Sequence, residues 1–412
     1  MKKRYQVLLV LSILSVITFL DRIAFSTAGE RITKELGFTA VQWGWILGSF
    51  TLAYALFEIP TGFLGDKFGA KNILIRVVLW WSFFTVLTGF STGFIMMLII
   101  RFLFGIGEAG AYPNMAIVAS KWFPAAERGR VQAVIWGASR IGAGLTPFII
   151  IPIQQKYGWQ ASFYFLGAIG IVWVIFWQFW HKEDPSQATD IAKDELDEIL
   201  TKRQLSSHDA GTSIFKLLKN KNLGFLMMMY ACYAMGVYFF QSWLPKYLQQ
   251  GRGISEEQLK YFSSAPFFLA AIGCLAGGFI SDRLVVKYGR KWGRRIVPMI
   301  GLGLSGVFLI IAALTTNNTV AIILLSIGMA SMDVTAPVAW AVSMDIGGKR
   351  SGSISGAMNS AGLLAAYCST VLFGYLATNF GYHFPVILLG GIALIGSFLW
   401  SKIDAEQPVE AV

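Results

Sequence analysis

FIMMLIIRFLFGIGEAGAYPNMAIVAS, residues 94–120, is apolar enough to cross a bilayer, yet it carries Arg101 and Glu108. Seven residues is nearly two helical turns, which puts both side chains on one face about 10 Å apart along the axis. Gly105 lies between them on that face and Pro113 follows. Ionisable groups at membrane depth are costly, and as a rule they face a bundle interior or watery cavity and mark a substrate or ion path. The first apolar segment repeats the theme with adjacent Asp21 and Arg22. Charge of both signs inside the membrane points to a moving solute.

The composition supports this. Of 412 residues, 55% are hydrophobic and only 14% charged, against roughly 25% charged in an average soluble domain. Apolar windows of about 20 residues recur, each long enough to cross the hydrocarbon core. Residues 37–57, 159–180, 222–245 and 261–281 contain no Asp, Glu, Lys or Arg. The expected class is an all-α, polytopic membrane protein in contact with lipid. Lys2, Lys3 and Arg4 precede an apolar run without a clear small-residue cleavage site, so the run is expected to stay as a first helix.

The net charge of +11 is topological. Basic residues gather at 2–4, Lys67/Lys71, Lys121/Arg128/Arg130, 283–295 and Lys349/Arg350, between alternate pairs of apolar segments, while loops 89–93 and 315–319 carry no charge. The positive-inside bias then puts both termini in the cytoplasm, and no nucleic-acid partner is implied. Cys232, Cys274 and Cys368 fall in apolar segments without metal or disulfide spacing, and His181, His208 and His383 form no metal cluster. No GxxxxGK[ST] phosphate loop and no nucleophile constellation stands out. Neither an enzyme, a cofactor nor ATP-driven pumping is expected.

Twelve spans are expected, at about 5–27, 39–64, 72–92, 94–120, 128–153, 159–180, 221–249, 258–282, 295–316, 319–344, 351–379 and 383–401. One polar stretch, 181–220, is long enough to be a cytoplasmic linker, with a short amphipathic helix at 194–200. That divides the chain into a six-helix half at 1–180, the linker, and a six-helix half at 221–412. Gly62-x-x-x-Asp66-Lys67-x-Gly69-x-Lys71 closes span 2, and Gly278-x-x-x-Asp282-Arg283 closes span 8. The shared Gly-to-Asp spacing indicates an internal repeat, in which Asp beside Lys or Arg caps a helix end and locks spans together.

These blocks resemble the loop 2–3 motif of the major facilitator superfamily and its second-half echo, and the resemblance extends over the whole chain. It implies two pseudo-symmetric six-helix halves with alternating access to a site between them. The Asp21-Arg22 pair with Arg101-x-x-x-Gly105-x-x-Glu108-Ala109-x-x-x-Pro113 resembles, more narrowly, the anion:cation symporter family, which includes bacterial sugar-acid carriers and animal vesicular glutamate and sialic acid carriers.

Span 1 runs outward and span 4 inward, so Arg22 and Arg101 meet at one depth as a carboxylate clamp, with Glu108 nearer the midplane. By resemblance, Arg22 holds the substrate carboxylate, Arg101 pairs with Asp21 until Asp21 is protonated, and Glu108 is a second proton site. The alternative is a permanent structural ion-pair lattice.

Arg140 departs from the sugar-acid carriers, which tend to have an uncharged polar residue there. It would meet a second anionic end of the cargo, or neutralise Asp333 or Glu108. Asp333, four residues before Pro337, is a coupling or gating acid, a buried partner of an arginine, or a cap where the helix breaks. Glu58, near Pro60, suits a structural ion pair. In the second half Tyr238, Gln241, Trp243, Ser355, Asn359 and Ser360 are candidates for cargo hydroxyls, with packing the competing role for the aromatics.

The expected protein is therefore a monomeric inner- or plasma-membrane carrier. It would import a small organic anion, an aldonate, hexuronate or aldarate, with protons as coupling ion. The competing expectations are a symporter for another carboxylate such as a small dicarboxylate, a drug/proton antiporter, and a non-transporting sensor.

Overall fold

The structure, a computed structural model, describes residues 1–124, 127–203, 220–348 and 351–409, except the side chains of Phe63, Asp66 and Ser353. Lys349, Arg350, His208, the end of the linker and the Asp66 carboxylate lie outside the described residues. The described residues are all-helical. Eleven helices are long and apolar enough to cross a membrane. One of them, Glu256–Leu314, has 59 residues and a non-helical Gly289 at φ 79°. At 1.5 Å per residue it is roughly 90 Å long, which serves two spans. Twelve crossings result.

Spans 1 to 6 are Lys3–Thr27, Ala40–Phe68, Ala70–Thr88, Phe94–Trp122, Arg128–Tyr157 and Trp159–Trp180. Span 7 is Lys221–Gly251, spans 8 and 9 share Glu256–Leu314, and spans 10 to 12 are Asn318–Gly347, Ser351–Phe380 and His383–Trp400. The chain forms two compact units. One comprises Met1–Ala28 with Ser49–Ser207, the other Gly29–Gly48 with His208–Val412. In the first, span 1 packs along span 5, and span 3 along spans 4 and 6. In the second, spans 8 and 9 pack on 10 and 12, and span 7 on 11 and 12.

The expected loop between spans 8 and 9 is instead helical on both sides of Gly289. Residues 283–295 are polar but rich in good helix formers and free of proline, so helix outlasts hydrophobicity. Hydropathy marks the edge of the membrane, not the end of the helix. Span 7 also departs from a plain α-helix: π-helical turns occupy Phe239–Trp243 and Tyr247–Gly251, on either side of Pro245.

Both units break a span at the same place. Span 4 is helical over Phe94–Glu108 and again over Ala111–Trp122; span 10 over Asn318–Asp333 and Thr335–Gly347. Pro113 and Pro337 cause the breaks, since a proline ring clashes with the carbonyl four residues back and supplies no N–H. A Cβ on Gly62 would sit 3.3 Å from Pro113, and one on Gly278 3.5 Å from Pro337. The Gly-to-Asp motif of each unit thus rests on the proline of its broken helix, and the repeat extends into packing.

The motif's turn is held the same way twice. Gly69 adopts φ 86° and Gly289 φ 79°, values in the left-handed region that favours glycine. After Gly69, Glu183 accepts the N–H groups of Ala70 at 3.1 Å and Lys71 at 2.8 Å, and bonds Lys121. After Gly289, Glu406 accepts the Lys291 N–H at 3.1 Å, and Lys291 pairs with Asp404 at 2.6 Å. A carboxylate at a helix start satisfies orphan N–H groups and complements the dipole. The expected linker helix is present at Lys193–Lys202, and its Glu195 caps span 1 through the N–H groups of Lys3 at 3.0 Å and Arg4 at 2.9 Å.

His181, just past span 6, is 1% exposed and stacks on Trp177 at 3.8 Å, with Trp122 at 5.4 Å. Burial, reinforced by Lys71, Lys3 and Lys121, pushes its pKa down to about 3. The folded chain therefore holds it neutral where the unfolded chain, at about 6.5, would protonate it. The stability it contributes is complete above about pH 6.5 and drains as pH falls toward 3. A His181→Phe variant should lose less melting temperature than the parent between pH 7 and pH 4 in a detergent thermal-shift assay; parallel pH profiles would contradict this.

Candidate functional site

The charged candidates of the first unit converge. Asp21 and Arg22 come from the last turns of span 1, Arg101 and Glu108 from the first helix of span 4, and Arg140 from the middle of span 5. Asp21 is 3%, Arg101 3%, Glu108 0% and Arg140 5% exposed. Gly105 lets span 4 approach span 2, since a Cβ there would lie 2.6 Å from the Phe50 carbonyl oxygen. Gly142 does the same for span 5, its virtual Cβ lying 2.8 Å from the Val16 oxygen of span 1.

Arg22 Nε donates to a Glu108 carboxylate oxygen, a charge-assisted bond in a dry setting. Asp21 accepts from the Thr85 hydroxyl at 3.4 Å and lies within electrostatic reach of Glu108 and Arg101. No ion pair joins Asp21 to Arg101 among the described residues. Asp21 Oδ2, Arg101 Nε and Glu108 Oε2 are buried without a hydrogen-bond partner among the described residues. Such atoms are rare in folded chains and cluster where a ligand or a changing contact completes them.

Aromatic rings link the three arginines. The Arg140 guanidinium lies 5.8 Å from the Phe19 ring, and Arg22 lies 5.2 Å from that same ring. Phe50 is shared in turn, 5.3 Å from Arg22 and 5.2 Å from Arg101. Tyr54 supports Arg22 at 4.7 Å, and Phe25 and Phe104 support Arg101 at 4.2 Å each. A ring face stabilises a desolvated cation by about 2 kcal/mol. The layer gathers the guanidiniums of Arg22, Arg101 and Arg140 beside the carboxylates of Asp21 and Glu108.

The second-half candidates sit in the other unit and are mixed in kind. Asp333 ends the first helix of span 10, fully buried, and accepts the Tyr233 hydroxyl at 2.7 Å. The repeat pairs Pro113 with Pro337, so Met332 is the counterpart of Glu108 and Asp333 that of Ala109. Trp243 donates to the Thr370 carbonyl at 3.0 Å and stacks on Phe373 at 4.6 Å, tying span 7 to span 11 as packing. Ser355 bonds Ser343 at 2.7 Å across spans 11 and 10. Gln241 is buried in a π-helical turn, while Tyr238, Asn359 and Ser360 are half-buried.

Of the motif residues, Gly62 and Gly69 shape span 2, Lys67 is exposed and the Lys71 N–H meets Glu183. Asp282 pairs with Arg294 at 2.7 Å, which also meets Asp345 at 3.2 Å. Arg283 lies instead over Phe279 at 4.1 Å. The lock between spans 8, 9 and 10 thus uses Arg294 and Asp345, which sequence reasoning missed. It also missed Phe19, Phe50 and Tyr54, because an aromatic in a span looks like packing until its ring is seen under a guanidinium.

The profile of the Major Facilitator Superfamily matches residues 11–367. The chain belongs to the major facilitator superfamily. Its relatives include a probable sulfoacetate transporter of Cupriavidus necator, 32% identical over 99% of this chain and 96% of that one. A hexuronate transporter of Bacillus subtilis is 30% identical, covering 96% of this chain and 93% of its own length. A D-galactonate transporter of Escherichia coli is 29% identical over 96% and 94%. The superfamily fold is also that of a bacterial homolog of the human lysosomal transporter Spinster, crystallised inward-facing and unoccupied. It has TM-score 0.80 and 18% identity, and the match covers 97% of this chain and 96% of that one. This superfamily member is a multi-pass membrane transporter, not an enzyme.

Replacing Arg22 removes both a partner of Glu108 and a guanidinium fork. In transport assays Arg22→Ala should reach the membrane at normal levels yet show no uptake above background, and Arg22→Lys should recover only part of it. Unchanged uptake by Arg22→Ala would remove Arg22 from the site.

Proposed function

We propose that this carrier imports a small organic anion of the sugar-acid class, an aldonate, hexuronate or aldarate, together with protons. The observation that carries the proposal is the buried layer of Arg22, Arg101, Asp21 and Glu108, in which Arg101 Nε, Asp21 Oδ2 and Glu108 Oε2 have no hydrogen-bond partner among the described residues. An anion offers an acceptor to the unpartnered Arg101 donor, with Arg22 and Arg101 as the clamp. Asp21 and Glu108 are the proton sites: each is buried and each keeps one oxygen without a hydrogen bond. Protonation of Glu108 would weaken its hold on Arg22 and release that fork to the cargo. Tyr238, Gln241, Asn359 and Ser360 are the proposed hydroxyl-reading residues. Basic loops between alternate spans support cytoplasmic termini in a plasma membrane, and one chain is the proposed functional unit.

Arg140 favours a particular version of this cargo. Because it flanks the same ring as Arg22, it offers a second cation for a dianion such as an aldarate or a short sulfonated carboxylate. The names of the relatives, which span monoanionic and dianionic acids, support the class.

Proteoliposomes offered a panel of aldonates, hexuronates, aldarates and sulfonated acids should accumulate at least one when a pH gradient, acid outside, is imposed. A collapsed gradient should reduce accumulation to equilibration. Accumulation driven only by sodium would reject proton coupling, and export of lipophilic cations would reject the anion. For Arg140→Gln, kcat/KM for a dianion should fall about tenfold more than for a monoanion. Equal losses would leave Arg140 a structural cation.

A further inference from the structure

The broken span 4 and span 5 carry a second layer beside the charged one. Tyr112 lies four residues after Glu108, and Trp136 four residues before Arg140. Trp136 is one turn from Arg140 along the same helix face, Tyr112 stands in the first turn of the second helix of span 4, just past the break after Glu108, and both are displaced toward the connection joining spans 4 and 5. Their rings meet at 4.4 Å with an interplanar angle of 7°. Tyr112 is held in place, its hydroxyl 2.9 Å from Ser15 Oγ, which donates to the Ile135 carbonyl at 2.8 Å. Tyr112 also lies within electrostatic reach of Arg22 and Glu108. The stack therefore lies within electrostatic reach of Arg22, one arm of the clamp.

Trp136 keeps part of its surface open, and not toward lipid. The lipid-facing stripe of span 5 runs through Val134, Ile141 and Leu145, which are 46%, 46% and 38% exposed. At 100° per residue, Trp136 stands about 200° from Val134, on the face it shares with buried Arg140. A half-buried indole on the inward face of a helix, backed by a parallel phenol, is a pre-organised apolar plate.

We propose that the Tyr112–Trp136 stack is the platform on which the carbon chain of the anion lies once its carboxylate is held by Arg22 and Arg101, so that it selects for chain length. This rests on the anion-carrier function proposed above. The arginines read the charged end and are indifferent to the carbons beyond it. The rings read the C–H edge of the chain, and their contribution grows with each carbon that reaches them. A two-carbon acid ends before the plate, while a six-carbon hydroxy acid covers it.

The test is uptake of glycolate, threonate and galactonate, of two, four and six carbons, by reconstituted wild type, Trp136→Phe and Trp136→Leu. Leucine keeps apolar bulk and removes the π face; phenylalanine keeps a smaller one. Trp136→Leu should lower kcat/KM increasingly with chain length, to about tenfold at six carbons and less than about twofold at two. Trp136→Phe should recover most of the loss. Matched melting temperatures show that each variant is folded, and Tyr112→Leu gives the same series should one Trp136 variant fail to fold. A uniform loss, no loss, or a wild type that takes only the two-carbon acid would overturn the platform while leaving the anion reading standing. A wild type that moves no acid of any length would sink both.

Discussion

The bond between Arg22 and Glu108 is the constraint around which the first unit is organised. Moving either charge alone from water into a protein interior costs several kcal/mol even after relaxation, and their attraction recovers this only when geometry is close and other donors are satisfied. The residues around the pair meet that demand without freezing it. Phe19, Phe50 and Tyr54 face the guanidinium, and glycines at 105 and 142 draw spans 2 and 1 close. Glu108 nevertheless keeps one oxygen without a partner. A fully satisfied network would be rigid. This one retains unspent hydrogen-bonding capacity where a carrier has to exchange partners.

The same economy appears in the frame that holds the layer. In each unit a proline breaks the fourth span of the repeat, a motif glycine packs on that proline, and an acid from beyond the last span caps the helix after the motif turn. The acids ending the broken helices are Glu108 in one unit and Asp333 in the other. They are not equivalent. Glu108 binds an arginine and Asp333 binds the Tyr233 hydroxyl, so the duplicated scaffold carries charge pairing on one side and a neutral hydrogen bond to a carboxylate on the other.

Much of this is legible in the sequence because the signals are local. Apolar length gives spans, basic loops give sidedness, and the spacing of Gly62 and Asp66 against Gly278 and Asp282 gives the repeat. The charged positions at 21, 22, 101, 108 and 140 are conspicuous for the same reason. Their surroundings are not legible. Nothing local in the sequence marks Glu183, Glu195 or Glu406 as caps, and only the folded chain puts their carboxylates on helix starts. For Trp243 the sequence leaves cargo contact and packing both open, and the fold shows it tying span 7 to span 11. The polar run at 283–295 looks like a loop and is helix, because helix propensity and membrane depth are separate properties.

The sequence by itself determined that this chain crosses a membrane twelve times, that its halves repeat, and that charge of both signs lies at membrane depth. Those are statements about one segment at a time, and hydrophobic length and spacing suffice for them. Only the tertiary structure decided that Arg22 meets Glu108, that Asp21 hangs on Thr85 rather than pairing with Arg101, and that Phe19 and Phe50 join three arginines into one layer. Pairing across helices depends on the rotation and depth of each span against its neighbours. Close contacts such as Gly105 on Phe50 and Gly142 on Val16 set those values, between residues far apart along the chain.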